Sequence, residues 1–132
     1  MSGPKSNVST WLRKAEHDLL NIENNLASKE IPWDTVCFHA QQAAEKILKA
    51  FLVSRGRDLS KTHDLVALLT RCVECDAGLA SLESDCRKLT SYGVAARYPD
   101  DLFEPGDVDG RDVVEAAYRV RTKILALLPM DR

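Results

Sequence analysis

The sequence predicts an all-α fold, an up-and-down antiparallel bundle of four to five helices. Apolar residues recur at helical spacing along almost the whole chain, and no segment of strand length alternates strictly between apolar and polar residues. The 132 residues are 45% hydrophobic and 29% charged, which suits one hydrophobic core and is too short for two. We therefore expect a single domain over residues 1–132, with an ordered core from about residue 10 to residue 128.

The first predicted helix runs from about Thr10 to Ala27 and is capped by Ser9 or Thr10. Apolar residues recur along one stripe of this segment, while the charged residues fall on the other face. The members of the apolar stripe are Trp11, Ala15, Leu19, Ile22 and Leu26. This pattern is typical of a helix that packs one side against a core.

The second predicted helix begins after Pro32 and ends before Gly56, the residue that we expect at its C′ position. Its apolar perimeter is wider than the stripe of a surface helix and includes Cys37, Leu48 and Leu52. Small residues at positions 40, 43 and 44 permit the close approach of another helix. We therefore expect this helix to be central and the chain to form a homodimer.

Three further helices complete the predicted bundle. The third follows the segment RDLSKTHD, with Thr62 as its N-cap and Asp64 in its first turn. The stretch CDAGLAS ends it, and Pro99 ends the fourth helix. A long acidic loop follows, and the fifth helix begins near Asp109.

Composition and missing motifs exclude several classes of protein. Lys and Arg total 18 against 20 Asp and Glu, so bulk charge does not favour a coat on nucleic acid. The chain has no apolar stretch of membrane-spanning length, and its first residues lack the apolar run of a secretory signal. We expect a cytoplasmic protein that does not contact a membrane. The common loops of nucleotide hydrolases and the HExxH and GxSxG motifs are absent.

The pair Cys72 and Cys75 has the spacing of a zinc or redox motif, and it also has the i, i+3 spacing of a helix. No second cysteine pair or histidine pair follows, so packing is the favoured interpretation. We expect no metal and no cofactor.

Three clusters of polar residues are candidates for contacts with phosphate. The first surrounds the start of the third helix, where a helix N-terminus offers free N–H groups and a positive dipole end. Its candidate residues are Arg57, Lys61 and His63. The alternative interpretation is a capped helix with surface cations.

The second cluster lies on one polar face of the second helix, because its members are spaced at i, i+3, i+7 and i+10. These residues are His39, Gln42, Lys46 and Lys49. Cations on this face can contact phosphates, and a solvated face is the alternative that the pattern favours. The third cluster is Arg97 with Tyr98, which can bind a phosphate and stack on a base, or can instead cap a helix.

Four segments resemble the HEPN domain family: WLRKAEHDL, CFHAQQAAEKILKAFL, KTHDLVALL and YGVAARYPD. The resemblance extends from about Trp11 to Leu128. It implies a bundle of four to five helices that is usually dimeric and is often encoded beside, or fused to, a minimal nucleotidyltransferase. Such pairs resemble toxin–antitoxin modules, and the family has been linked to nucleotide binding.

The resemblance also implies an alternative, because some HEPN members are metal-independent ribonucleases that use an Arg and a His a few residues apart. Arg57 and His63 have such a separation and would act on RNA as the phosphate-stabilising and acid–base pair. The nuclease members carry this pair in a late helix, where Arg97 is here followed by YPDDLFEP without a histidine. The favoured function is thus a non-catalytic partner module that binds a nucleotide, a minimal nucleotidyltransferase, or both. A dimeric helical scaffold without a ligand is the third hypothesis.

Overall fold

The computed structural model describes residues 4–59, 61–95 and 105–129. Within these ranges the chain is all-α, and the predicted helical bundle is confirmed. The helices are α1 (Pro4–Leu26), α2 (Trp33–Ser54), α3 (Leu65–Cys75), a 3₁₀-helix (Ala77–Leu82), α4 (Glu83–Ala95) and α5 (Asp107–Leu125). Among these ranges, no helix combines the length and the apolar character that crossing a membrane requires.

Helix α2 lies at the centre of the bundle and contacts α1, α3, α4 and α5. The residues that widen its apolar perimeter, Cys37, Leu48 and Leu52, are all fully buried within one chain. The prediction that this perimeter exceeds the needs of one bundle interior is wrong, because four helices of the same chain pack around α2. The homodimer loses this support and stays a prediction, which light scattering can check.

Helix α2 ends at Ser54 with Arg55 as its C-cap, and Gly56 takes the predicted C′ position with a φ of 69°. The Gly56 N–H donates to the Val53 carbonyl at 3.0 Å, and the Arg57 N–H donates to the Leu52 carbonyl at 2.9 Å. These two bonds form a Schellman motif, which needs a left-handed residue at its turn. The motif ends α2 and directs the chain into the connector that leads to α3.

The N-cap of α3 is Asp64, whose side chain accepts the N–H groups of Val66 at 2.9 Å and Ala67 at 3.4 Å. The prediction of Thr62 as the cap is wrong, because a carboxylate two residues later reaches the same donors. Thr62 Oγ1 instead accepts the Asp64 N–H at 3.1 Å. Residues before Asp64, His63 among them, thus belong to the connector and not to the helix.

Helix α5 begins at Asp107, two residues before the predicted start, and takes Gly110 into its first turns. Gly110 packs against the ring of Trp33 at the start of α2, where an added Cβ would lie 2.7 Å from Cδ2 and 2.8 Å from Cζ3. The glycine therefore marks a close helix contact, although in the sequence it is typical of a loop.

Candidate functional site

The start of α3 has no free backbone donors for an anion. The Leu65 N–H donates to Thr90 Oγ1 of α4 at 2.7 Å, and the next two N–H groups donate to the Asp64 carboxylate. A helix N-terminus binds phosphate through these same groups. Side chains of the protein therefore accept the hydrogen bonds that the sequence predicts for a bound phosphate. Lys61, the other predicted cation near this helix start, is exposed.

Arg57 lies at the opposite end of α3 from His63. Its guanidinium donates to Glu74 Oε1 at 2.6 Å and to Cys75 Sγ at 3.3 Å, in the last turn of the helix. Since α3 has 11 residues, its two ends are about 15 Å apart. Within one chain the structure does not bring Arg57 and His63 together.

His63 belongs to a polar network that we name the Glu45 cluster, formed by the buried residues Gln41, Glu45 and Lys49 together with His63, whose side chain is 66% exposed. The Glu45 carboxylate lies 3.0 Å from His63 Nδ1 and accepts hydrogen bonds from Lys49 Nζ at 2.9 Å and Gln41 Nε2 at 3.2 Å. Gln41 Nε2 also donates to the His63 carbonyl at 3.2 Å. The cluster thus fixes the end of the connector onto α2.

Burial and hydrogen bonding act in opposite directions on Glu45. Burial raises its pKa, but the hydrogen bonds from Lys49, His63 and Gln41 outweigh this effect and hold the pKa below its ordinary value. Glu45 is therefore ionised at neutral pH.

Lys49 is itself buried and lies 5.5 Å from the Trp11 ring of α1, so the prediction of a solvated face is wrong at this position.

A second carboxylate, Asp18 of α1, contacts the polar face of α2 and forms with His39 and Lys46 what we name the Asp18 cluster. Asp18 of α1 is buried; its Oδ1 lies 2.9 Å from His39 Nδ1, and its Oδ2 accepts a hydrogen bond from Lys46 Nζ at 2.6 Å. His39 and Lys46 are each about a quarter exposed, with side-chain values of 24% and 23%. Two of the predicted phosphate-binding residues therefore meet, with a partner that the sequence did not indicate.

The Asp18 cluster forms one wall of a cavity of about 340 Å³ between α1 and α2. The lining residues are Lys14, His17, Asp18, Asn21, His39 and Lys46. Two lysines and one aspartate give this lining a formal charge of +1 when both histidines are neutral. Within the described part of the chain, Lys14 and His17 form no ion pair, so the cavity carries uncompensated positive charge. We name it the α1–α2 cavity.

The other predicted site residues lie elsewhere. The Gln42 side chain donates to Gln41 Oε1 at 2.7 Å, which turns it toward the Glu45 cluster. Arg97 and Tyr98 lie outside the described residues.

The cysteines pack in the bundle. Burial raises the pKa of the Cys37, Cys72 and Cys86 thiols to about 12, so all three stay protonated at neutral pH. The packing interpretation of Cys72 is confirmed by its full burial, whereas Cys75 is only partly buried and contacts Arg57. In the described residues, no group of three His, Cys, Asp or Glu side chains is arranged to hold a metal.

Comparisons with known proteins give one family. The family model described as HEPN domain matches residues 8–129. The fold is similar to the crystal structure of TT1696 from Thermus thermophilus, with a TM-score of 0.79 and 25% identity over 92% of this chain and 98% of that one. It is also similar to ST0689, an archaeal HEPN homologue, with a TM-score of 0.72 and 22% identity over 98% of this chain and 100% of that one. No curated protein matches the sequence. Because the family model covers all but the two ends of the sequence, this chain belongs to the HEPN domain family.

Proposed function

We propose that this chain is a non-catalytic HEPN-domain partner module that binds a nucleotide through its phosphates in the α1–α2 cavity. The observation that carries the proposal is the convergence of Lys14, His17, His39 and Lys46 on this cavity. Lysine and protonated histidine donate charge-assisted hydrogen bonds to phosphate oxygens, which are roughly twice as strong as neutral ones. A polyphosphate would neutralise the positive charge that the protein leaves uncompensated there.

The protein partner that we propose is a minimal nucleotidyltransferase, in a pair of the toxin–antitoxin kind. Membership of the HEPN family supports this proposal. We expect a short nucleotidyltransferase to be encoded beside this chain and to co-purify with it. A gene neighbourhood without such a frame, or two proteins that elute separately, would contradict the pairing while leaving nucleotide binding open to its own test.

The geometry disfavours the ribonuclease alternative. A phosphate-stabilising Arg and an acid–base His have to reach the same phosphodiester. Here the guanidinium of Arg57 is paired with Glu74 at the end of α3, and His63 precedes the start of that helix. A single chain therefore does not assemble the pair.

Isothermal titration of the protein with ATP and GTP tests the proposal. We expect heat of binding for the wild type, weaker binding at raised salt, and a loss of affinity of about ten-fold in Lys46→Ala, because each charge-assisted contact contributes about 1.5 to 3 kcal/mol. Lys14→Ala should weaken binding in the same direction. No heat at millimolar ligand would overturn the proposal.

Lys88→Ala is the matched control for these variants. Lys88 of α4 also pairs with an aspartate, Asp112 of α5, and lies away from the α1–α2 cavity. The control removes the same positive charge and should leave nucleotide affinity unchanged. Equal losses in Lys46→Ala and Lys88→Ala would show that bulk charge, and not this cavity, attracts the ligand.

A further inference from the structure

Asp18 lines a cavity whose other ionisable lining residues are lysines and histidines. Its two oxygens are both engaged, Oδ1 with His39 Nδ1 at 2.9 Å and Oδ2 with Lys46 Nζ at 2.6 Å. Two oxygens of a phosphate group bound between the same donors would make the same kind of contacts. The carboxylate thus holds the cations in the arrangement that a phosphate needs.

The surroundings of Asp18 contain more positive charge than the carboxylate can neutralise. Lys14 and His17 lie on the same helix within one turn of Asp18, line the same cavity, and have no ion-pair partner among the described residues. The carboxylate already faces Lys46, so a purely structural ion pair needs neither of these residues. Their placement is explained if the cavity receives a second, larger anion.

We infer that the Asp18 carboxylate is an internal placeholder for a phosphate of the ligand. A nucleoside triphosphate or diphosphate displaces this carboxylate from Lys46 and His39 on binding. The terminal phosphate, which carries up to two negative charges, competes with a carboxylate that carries one. Lys14 and His17 then contact the adjoining phosphate. This inference rests on the proposed function, since it assigns how the same cavity takes its nucleotide and makes Asp18 the residue that sets the affinity.

The test compares ATP titrations of the wild type with those of Asp18→Asn and of a matched control, Asp85→Asn. Asp18 and Asp85 are equally buried, at 8% exposure each, and both are paired with cations. Asp85 binds Arg119 on the α4–α5 side of the bundle, so its variant changes the net charge equally without touching the cavity. We expect Asp18→Asn to bind ATP about ten-fold more tightly, and Asp85→Asn to bind like the wild type.

The possible outcomes separate this inference from the proposed function. If the wild type binds ATP and a folded Asp18→Asn protein binds it with equal or lower affinity, the placeholder inference is overturned and the proposal of nucleotide binding stands. Equal gains in both variants also overturn it, because bulk charge would then explain the gain. Absence of heat from both the wild type and Asp18→Asn overturns the proposed function itself.

A second measurement covers the case in which Asp18→Asn does not fold. Nitrogen NMR of the wild type follows the signal of His39 Nδ1 during a titration with ATP. We expect this signal to shift as phosphate replaces the Asp18 carboxylate. A signal that stays in place at saturating ATP overturns the inference.

Discussion

The Asp18 and Glu45 clusters share a carboxylate–histidine–lysine group in different surroundings. Each joins one buried carboxylate to one histidine Nδ1 and to the Nζ of one lysine of α2. Around Glu45, Gln41 and the His63 carbonyl complete the network, the Lys49 side chain is only 10% exposed, and the His63 side chain is 66% exposed at the edge of the network. The Asp18 cluster instead borders a cavity, and its lysine is more than twice as exposed.

The difference shows that a carboxylate–histidine–lysine group is not by itself a functional site. Where the carboxylate and the lysine are buried and hydrogen-bonded to each other, as Glu45 and Lys49 are, the group stabilises a connector against a helix. Where unpaired cations adjoin it, as around Asp18, the group can exchange its internal anion for an external one. The neighbours of the cluster therefore decide its role.

The largest expected effect that separates the clusters is on stability. Glu45→Gln leaves Lys49 buried without its counter-charge, which costs about 3 kcal/mol of unfolding free energy. Asp18→Asn should cost only about 1 kcal/mol, because water reaches the exposed quarter of Lys46 and His39 and replaces part of the lost interaction. Urea denaturation of both variants at neutral pH measures the two costs. Equal losses would contradict the distinction between a closed network and an open one.

A smaller expected effect is the pH dependence of the stability that Glu45 contributes. The pKa of Glu45 is lower in the folded chain than its ordinary value of 4.5. Its ionisation therefore stabilises the fold fully above that value, and the contribution is lost as the pH falls through the folded pKa. We expect the stability gap between wild type and Glu45→Gln to be constant near neutral pH and to shrink below about pH 4.5. Urea denaturation of both proteins across this range is the measurement, and a gap that stays constant in acid would contradict the role of the charged carboxylate.

The fold could be predicted from the sequence to a large extent, because its signals are local. Pro32 and Gly56 bound α2 without reference to any other segment, and the Schellman motif at Gly56 follows from a residue type at one position. The start of α5 could not be predicted as well, since Gly110 is helical for a tertiary reason, the ring of Trp33.

The candidate site could be predicted only in part. The helical spacing of α2 places His39 and Lys46 together, and the structure confirms that they share a face. Their common partner, Asp18, lies 21 and 28 residues away on another helix, so no local pattern indicates it. The N-terminus of α3 had the signal of an anion site, but Asp64 and Thr90 satisfy its donors from within the chain.

The smallest expected effect is on RNA, which we expect the protein not to cleave. Cleavage would contradict the assignment of the Glu45 cluster to a structural role. We expect single-stranded RNA to stay intact after incubation with the wild type, because the Arg57 guanidinium is bound to Glu74 and does not reach the phosphate that His63 would contact. Gel analysis of labelled RNA is the measurement, with His63→Ala and Arg57→Ala as paired variants. A positioned histidine contributes about 100-fold or more to acid–base catalysis. Cleavage by the wild type that both variants abolish would therefore show that Arg57 and His63 act on one phosphodiester, with Glu45 orienting His63 for proton transfer, and the Glu45 cluster would then be the functional one.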